Sequence, residues 1–226
     1  MNITNIIQIL GVVIIPLLFA ITLHEAAHGW IASKLGDKTA LMLGRVSLNP
    51  VKHLDVFGTL ILPLAMIIFR FPIIFGWAKP VPITVENFKH PRRDMAFVAL
   101  AGLLANVIMA FFWALILKLD LWAMQTGMLS QYPISGEIKA YVYQVCTYGM
   151  MINAILFVLN VLPIPPLDGS RIVSALLPPA MAATYERIEP YGIYIILGLL
   201  IFRLLNFILL PLVFGLLRVI QTIVGL

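Results

Sequence analysis

The chain has 226 residues, of which 62% are hydrophobic and only 11% are charged, and its mean hydropathy is +1.02. Soluble domains are about half apolar and roughly a quarter charged, so this composition excludes a disordered chain, a disulfide scaffold and an ordinary soluble enzyme. The net charge is +5, but the basic residues do not cluster on a polar face. We therefore expect a protein that is embedded in the lipid bilayer and does not bind nucleic acid.

The first predicted element is a transmembrane helix. No charged side chain occurs between Met1 and Leu23, and the stretch has neither the basic start nor the small-residue cleavage site of a secretory signal. We expect a retained helix that continues to about Lys34 and stops near Gly36. Basic residues follow this helix but do not precede it, so the positive-inside rule places the N-terminus outside.

The next segment is mixed in polarity. Residues 40–48 (ALMLGRVSL) predict a short strand, which ends at the turn-forming Asn49-Pro50. Residues 55–72 form a short apolar run, and residues 73–94 are rich in proline and charge. This last stretch includes the extended sequence KPVPIT.

Two long apolar runs follow. Residues 95–119 and 140–163 can each span about 30 Å of hydrocarbon. Residues 164–189 are rich in proline and contain most of the remaining acidic residues. Residues 190–226 are apolar again, and they predict either one span with an interfacial piece or two short spans.

The sequence His24-Glu25-Ala26-Ala27-His28 is an H-E-x-x-H motif. Residues four apart lie on one helix face, so both imidazoles can reach one metal ion, and Glu25 beside them can act as a general base. The alternative is a set of buried, hydrogen-bonded histidines and an acid. Each charged group in a membrane helix costs at least about 2.5 kcal/mol, so we favour the metal site.

A catalytic zinc site needs a third protein ligand. Asp168 follows a predicted membrane helix, in the segment NVLPIPPLDG, whose prolines prevent a regular helix. Irregular backbone at membrane depth persists only where it is packed in protein or lines a cavity, so Asp168 is a ligand candidate. A helix N-cap or turn aspartate is an equally good interpretation from the residues alone.

These motifs together resemble a known family. H-E-A-A-H-G in a first membrane helix, followed by N-x-x-P-x-P-P-L-D-G, resembles the site-2 protease family of intramembrane zinc metalloproteases. Residues 36–63, 76–83 (with Trp77) and 99–107 also resemble the short branch that lacks PDZ or CBS domains. The resemblance implies one zinc ion per chain, with His24, His28 and Asp168 as ligands and Glu25 as the base.

Three further polar residues are candidates for the site. Asn160 matches the family motif fully, whereas Asn106 matches A-G-P-x-x-N with leucine in place of proline. Either amide could hold the substrate backbone or the developing oxyanion, and an interhelical hydrogen bond is the alternative. His53 could hydrogen-bond to a metal ligand, or it could be an interfacial polar residue.

The metal site also constrains the number of membrane crossings. Three crossings between His28 and Asp168 would put these ligands on opposite sides, whereas two crossings, by 95–119 and 140–163, bring them together. Both flanks of 55–72 are basic, with four Lys or Arg in 34–54 and five in 70–93. We therefore predict that 55–72 is re-entrant or interfacial, and that the site lies toward the cytoplasmic side.

The expected fold is an all-α polytopic membrane protein: a helical bundle with a short β-hairpin or extended element and a re-entrant segment beside the site. We expect one domain over 1–226, with a core at 1–178 and C-terminal membrane helices at 188–226. The oligomeric state is unknown from sequence.

The expected function is regulated intramembrane proteolysis, in which a peptide bond within or near the transmembrane segment of a membrane-protein substrate is hydrolysed at the cell membrane. The segments 40–48 and Pro80–Thr84 are candidate edges for a substrate strand. The alternatives are a metal transporter or another non-proteolytic metal-handling protein, and a catalytically silent scaffold.

Overall fold

The computed structural model describes residues 3–69, 78–127 and 136–226, so Trp77 lies outside the described residues. The regular structure in these ranges is helical throughout. In chain order the α-helices are α1 (Ile3–Leu35), α2 (Thr39–Met42), α3 (Leu62–Ile68), α4 (Pro91–Gln125), α5 (Gly136–Val161), α6 (Asp168–Leu176), α7 (Pro179–Glu186), α8 (Glu189–Ile201) and α9 (Leu204–Val224). Single 3-10 turns occupy Pro50–His53 and Val85–Asn87, and a π-helical turn at Val56–Ile61 leads into α3.

Four of the described helices are long and apolar enough to cross a membrane, namely α1 from Leu10 onward, α4, α5 and α9. This confirms the expected helical membrane protein. The predicted spans at 95–119 and 140–163 correspond to α4 and α5. Helix α8 has 13 residues, which at about 1.5 Å per residue is too short for the hydrocarbon core. The C-terminal region therefore consists of one full-length span preceded by a shorter apolar helix.

The four long helices alternate in direction. His28, near the end of α1, contacts the Val98 carbonyl near the start of α4, so these helices are antiparallel. The Tyr141 hydroxyl at the start of α5 donates to the carbonyl of Gly11 in α1, so α5 runs parallel to α1. At the far end of α4, Lys118 donates to the Val224 carbonyl at the end of α9. Helix α9 is therefore parallel to α4.

This alternation places the two long connections, 36–90 and 162–203, at the same end of the bundle, which we call the connector end. Because the connection 36–90 begins and ends there, it makes no net crossing between α1 and α4. That is the arrangement which the predicted metal ligands require. The described part of 55–72 is the helical stretch Val56–Ile68, and its re-entry into the bilayer stays a prediction.

The predicted β-hairpin is wrong. Residues 39–42 form the helical turn α2, and the Arg45 N–H closes it by donating to the Ala40 carbonyl. These backbone groups are satisfied locally, so this stretch needs no strand partner. Pro80–Thr84 is neither helix nor strand, and the N–H groups of Val81 and Thr84 donate to acidic side chains rather than to a neighbouring strand.

The core lies where α4, α5 and α9 meet. Buried side chains from all three helices share one cluster, which includes Trp113 of α4, Cys146 of α5 and Val213 of α9. Gly149 lets α4 and α5 approach closely, because a Cβ atom there would lie 2.4 Å from the Trp113 ring. Small residues that permit such an approach are typical of helix contacts in membranes, where the hydrophobic effect contributes little to association.

The alternation predicts which loops share a side of the membrane. Lys38 follows α1, Lys89 precedes α4 and Glu137 lies in the first turn of α5, and all three are exposed. With the buried Cys146 replaced by alanine, we expect Lys38→Cys and Lys89→Cys to react with a membrane-impermeant maleimide from one side. We expect Glu137→Cys to react only from the other side. Opposite labelling of positions 38 and 89 would show that 36–90 crosses the membrane.

Candidate metal centre

The two histidines of the motif and Asp168 converge in space. His24 and His28 lie one turn apart on α1, and their Nε2 atoms are 3.0 Å apart. Asp168 is the first residue of α6, and its Oδ2 atom lies 3.3 Å from His24 Nε2 and 3.4 Å from His28 Nε2. The three ligand atoms therefore form a nearly equilateral triangle, and in the described residues this is the cluster that could hold a metal ion.

The size of this triangle fits zinc. Zinc–nitrogen and zinc–oxygen bonds of about 2.0–2.2 Å in a tetrahedron place the ligand atoms about 3.3–3.6 Å apart. The observed separations of 3.0, 3.3 and 3.4 Å are close to this range. Three protein ligands also leave one tetrahedral position open, as in catalytic zinc sites.

Hydrogen bonds at the opposite ring nitrogens prepare both histidines for a metal. His28 Nδ1 lies 2.7 Å from the Val98 carbonyl oxygen, and His24 Nδ1 lies 2.7 Å from Asn106 Oδ1. Both partners are acceptors, so each Nδ1 carries the proton and each Nε2 presents a lone pair. Two lone pairs that face each other at 3.0 Å repel unless a cation lies between them.

Asp168 completes the site from a different helix. Its Oδ2 atom is buried and has no hydrogen-bond partner among the described residues, which is the state expected of an atom that coordinates a cation. The neighbouring Gly169 allows α6 to begin directly against the end of α5, because a Cβ atom there would lie 2.2 Å from the Val161 carbonyl oxygen. At the other end of α6, Arg92 donates to the carbonyls of Ser174 and Leu177 and ties this helix to the start of α4.

Glu25 lies beside the ligands, and a separate segment orients it. Its Oε2 atom accepts a hydrogen bond of 2.8 Å from the Val81 N–H, which belongs to the extended stretch after residue 78. Arg45 holds the same stretch by donating to the carbonyls of Lys79 and Pro80. The carboxylate that the motif supplies is thus oriented by residues far away in the sequence.

Asp37 anchors this stretch at its other end. The carboxylate is fully buried, and it accepts hydrogen bonds from Thr84 N–H, from Asn87 Nδ2 and from the backbone and hydroxyl of Thr39. Burial alone would raise the pKa of the Asp37 carboxyl, but the hydrogen bonds from Thr39, Asn87 and Thr84 outweigh it and hold the pKa below its ordinary value.

The remaining predicted residues fall into two groups. Asn106 is in the site, where it contacts His24 and also donates to Asn153 Oδ1. Asn160 donates to the Leu156 carbonyl of its own helix, and its role in substrate or oxyanion binding stays a prediction. His53 is fully buried in the connection 36–90, and its Nε2 bonds to the Ser47 carbonyl rather than to a metal ligand.

The sequence motifs assign no role to Asn153 or Asp37. Asn153 is fully buried in α5, and it links Asn106 to the backbone of that helix. A polar amide in an apolar helix was the signal that could have found it, since such residues are uncommon in membrane spans and usually make interhelical bonds. Asp37 has no comparable signal, because two of its partners, Thr84 and Asn87, are distant in sequence.

Comparison with known proteins decides the family. The model of peptidase family M50 matches residues 12–203, which is most of the chain and includes the H-E-A-A-H and P-P-L-D-G motifs. The chain belongs to peptidase family M50. This is the site-2 protease family, so the resemblance stated from sequence is confirmed.

Two curated relatives agree with this assignment. "Putative zinc metalloprotease YwhC" of Bacillus subtilis is 36% identical over 205 residues, which cover 91% of this chain and 87% of that protein. "Putative zinc metalloprotease Rip2" of Mycolicibacterium smegmatis is 27% identical over 191 residues, which cover 84% of this chain and 66% of that protein. No solved structure gives a significant match. The protein is a metalloprotease of this family, and the family implies zinc.

Gly102 gives a direct test of the metal centre in this M50 protein. A Cβ atom at Gly102 would lie 2.3 Å from His28 Cε1 and 2.8 Å from His24 Cε1, so Gly102→Ala must displace both imidazoles. We expect a loss of zinc affinity of roughly 10–100-fold, measured by chelator competition on the purified protein. Gly198→Ala is the control, because its Cβ would meet no atom of the described residues within 4 Å. Unchanged affinity in Gly102→Ala would remove these rings from the metal site.

Asp37 predicts a pH-dependent contribution to stability. A carboxyl whose pKa is lowered by folding stabilises the protein fully above its unfolded pKa of about 3.9, and this stabilisation is lost as pH falls through the folded pKa. We expect Asp37→Asn to lower the melting temperature at pH 7, with a difference from wild type that shrinks below about pH 4. Exposed Glu86 in the same segment provides the control Glu86→Gln. A difference that does not depend on pH would contradict the role of the charged carboxylate.

Proposed function

We propose that this protein is an intramembrane zinc protease, which hydrolyses a peptide bond within or near the transmembrane segment of a membrane-protein substrate. One observation carries the proposal. His24, His28 and Asp168 converge between helices that are long and apolar enough to span a bilayer, with Glu25 directly beside them. The proposal goes beyond family membership because it names the residues, the substrate class and the place of cleavage.

In this proposal His24, His28 and Asp168 hold one zinc ion per chain. The ion, when bound, supplies a Lewis acid that polarises the scissile carbonyl and activates water. The Nδ1 hydrogen bonds of the two histidines fix their ring orientation before the metal arrives. The three side chains are only 9–17% exposed, so the site is shielded from bulk water but not sealed from it.

Glu25 is the proposed general base. Its carboxylate takes a proton from the attacking water and later delivers it to the leaving amine. The hydrogen bond from Val81 N–H to Oε2 holds one oxygen of this carboxylate in place, so the proton transfers are assigned to the other oxygen. Asn160 is proposed to bind the substrate backbone or the developing oxyanion, through the amide hydrogen that its helix bond to Leu156 does not use.

The charge distribution supports an orientation in the cell membrane. Most basic residues lie at or near the connector end, whereas Lys118, Lys139 and Arg218 lie toward the other end of the bundle. The positive-inside rule therefore puts the connector end in the cytoplasm and the N-terminus outside. Asp168 and the start of α4 belong to the connector end, so the proposed site opens toward the cytoplasm.

The alternative function is metal transport or another non-proteolytic handling of metal. It accounts for the two histidines and Asp168. It does not account for Glu25, which lies outside the metal triangle and is held by a dedicated hydrogen bond from another segment. Proteolysis uses such a carboxylate for proton transfer, and we therefore favour it.

Replacement of Glu25 separates these functions. The probe is a synthetic single-pass polyleucine helix with a central Asn-Pro pair and a fluorophore at each end, in liposomes with the zinc-loaded protein. We expect Glu25→Gln to keep its zinc and to cleave this probe roughly 10²–10⁴-fold more slowly, because general acid–base catalysis contributes about that much.

The matched control is His24→Ala, which should lose both zinc and cleavage. If Glu25→Gln cleaves the probe at the wild-type rate, Glu25 is not the base. If the wild-type protein holds zinc but transports it across the liposome membrane without cleaving any probe, the transport alternative is correct.

A further inference from the structure

A chain of side-chain amides connects the backbone of α5 to the first metal-ligand candidate. Asn153 Nδ2 lies 2.8 Å from the Gly149 carbonyl oxygen, and Asn106 Nδ2 lies 3.1 Å from Asn153 Oδ1. Asn106 Oδ1 in turn lies 2.7 Å from His24 Nδ1. Three helices, α5, α4 and α1, are thus joined by one continuous series of hydrogen bonds.

The direction of this chain is fixed by its first member. The Gly149 carbonyl can only accept, so Asn153 must turn its NH₂ group toward it. Asn153 Oδ1 then faces Asn106 and can only accept, so Asn106 must turn its own NH₂ group toward Asn153. This leaves Asn106 Oδ1 facing the histidine, and an oxygen acceptor requires that His24 Nδ1 be the donor.

Burial makes the direction strict. Asn106 and Asn153 are both 0% exposed, and they lie in helices that cross the membrane. A reversed amide would bring two acceptors together at Gly149, and an unpaired polar group in an apolar medium costs several kcal/mol. Water is excluded from these positions, so it cannot compensate for a reversed group.

We propose that Asn153 is a positioning residue for the metal centre. Acting through Asn106, it holds the proton of His24 on Nδ1 and keeps the Nε2 lone pair directed at the metal. His28 does not depend on this chain, because the Val98 carbonyl holds its Nδ1 directly. The proposal rests on the metal site of the proposed function, but it concerns how the protein prepares one ligand and not what the site cleaves.

The test compares two substitutions at Asn153 by zinc affinity, measured by chelator competition on the full-length protein in detergent. Asn153→Leu removes the acceptor for Asn106 Nδ2, so the Asn106 amide can reverse. Its oxygen is then no longer held toward His24 Nδ1, and the proton of His24 is no longer fixed on that nitrogen. We expect zinc affinity to fall by roughly 10–100-fold. Asn153→Asp should keep the wild-type affinity. Burial keeps an aspartic acid protonated there, so it can still donate to Gly149 and accept from Asn106.

A higher zinc affinity for Asn153→Asp than for Asn153→Leu separates positioning from a merely structural role. If Asn153 served only packing, the apolar leucine would be tolerated better than a buried carboxyl group in a membrane helix. Thr147→Val is the matched control, because Thr147 makes the same type of bond to the preceding turn of α5 and has no link to His24. If Asn153→Leu does not fold, Asn153→Ala removes the same acceptor without added volume, and the same order relative to Asn153→Asp is expected.

A double substitution tests the route through Asn106. We expect Asn106→Leu to lower zinc affinity, and the addition of Asn153→Leu to lower it no further, because the second residue acts through the first. Independent losses that add would overturn this route. Equal zinc affinities of Asn153→Leu and the wild type would overturn the proposal. Equal zinc affinities of His24→Ala and the wild type would instead overturn the metal site itself.

Discussion

Two histidines from the first membrane helix and an aspartate from beyond the third must meet inside a bundle surrounded by lipid. This contact fixes the directions of the intervening helices, because Asp168 can reach His24 only if α4 and α5 together return the chain to the connector end. It also explains why α6 is tied at both ends, by the close approach at Gly169 and by Arg92. The meeting of these three side chains therefore also fixes the topology of the bundle.

The two histidines of the metal triangle are bonded to acceptors on a neighbouring helix. A hydrocarbon surrounding offers no hydrogen bonds, so an unpartnered polar group is more costly there than at a water-exposed surface. The protein meets this requirement with acceptors of fixed identity, such as the Val98 carbonyl for His28. The same bonds that satisfy the two rings also determine which nitrogen of each histidine faces the proposed metal site. Stability and function are thus served by the same contacts.

The proposed base is positioned differently from the proposed metal ligands. Glu25 comes from the membrane helix α1, yet its carboxylate is held by the backbone of the extended stretch that includes Val81. That stretch depends in turn on Asp37, whose buried carboxylate accepts hydrogen bonds from Thr84 and Asn87 at the end of the stretch. The connection 36–90 is consequently part of the site and not merely a link between spans. The N–H groups of Val81 and Thr84 already donate to acidic side chains, so they do not pair in a β-hairpin.

The sequence alone determined the membrane environment, the approximate spans and the His24–Glu25–His28 motif, because these depend on composition and on spacing within one helix. The P-P-L-D-G motif also singled out Asp168. Only the tertiary structure decided what depends on contacts between distant segments: the helical turn in place of a strand at 40–48, the hold of Val81 on Glu25, the burial of Asp37, and the link from Asn153 to His24. The physical reason is that a hydrogen-bond partner far away in the chain leaves no periodic signal in the sequence.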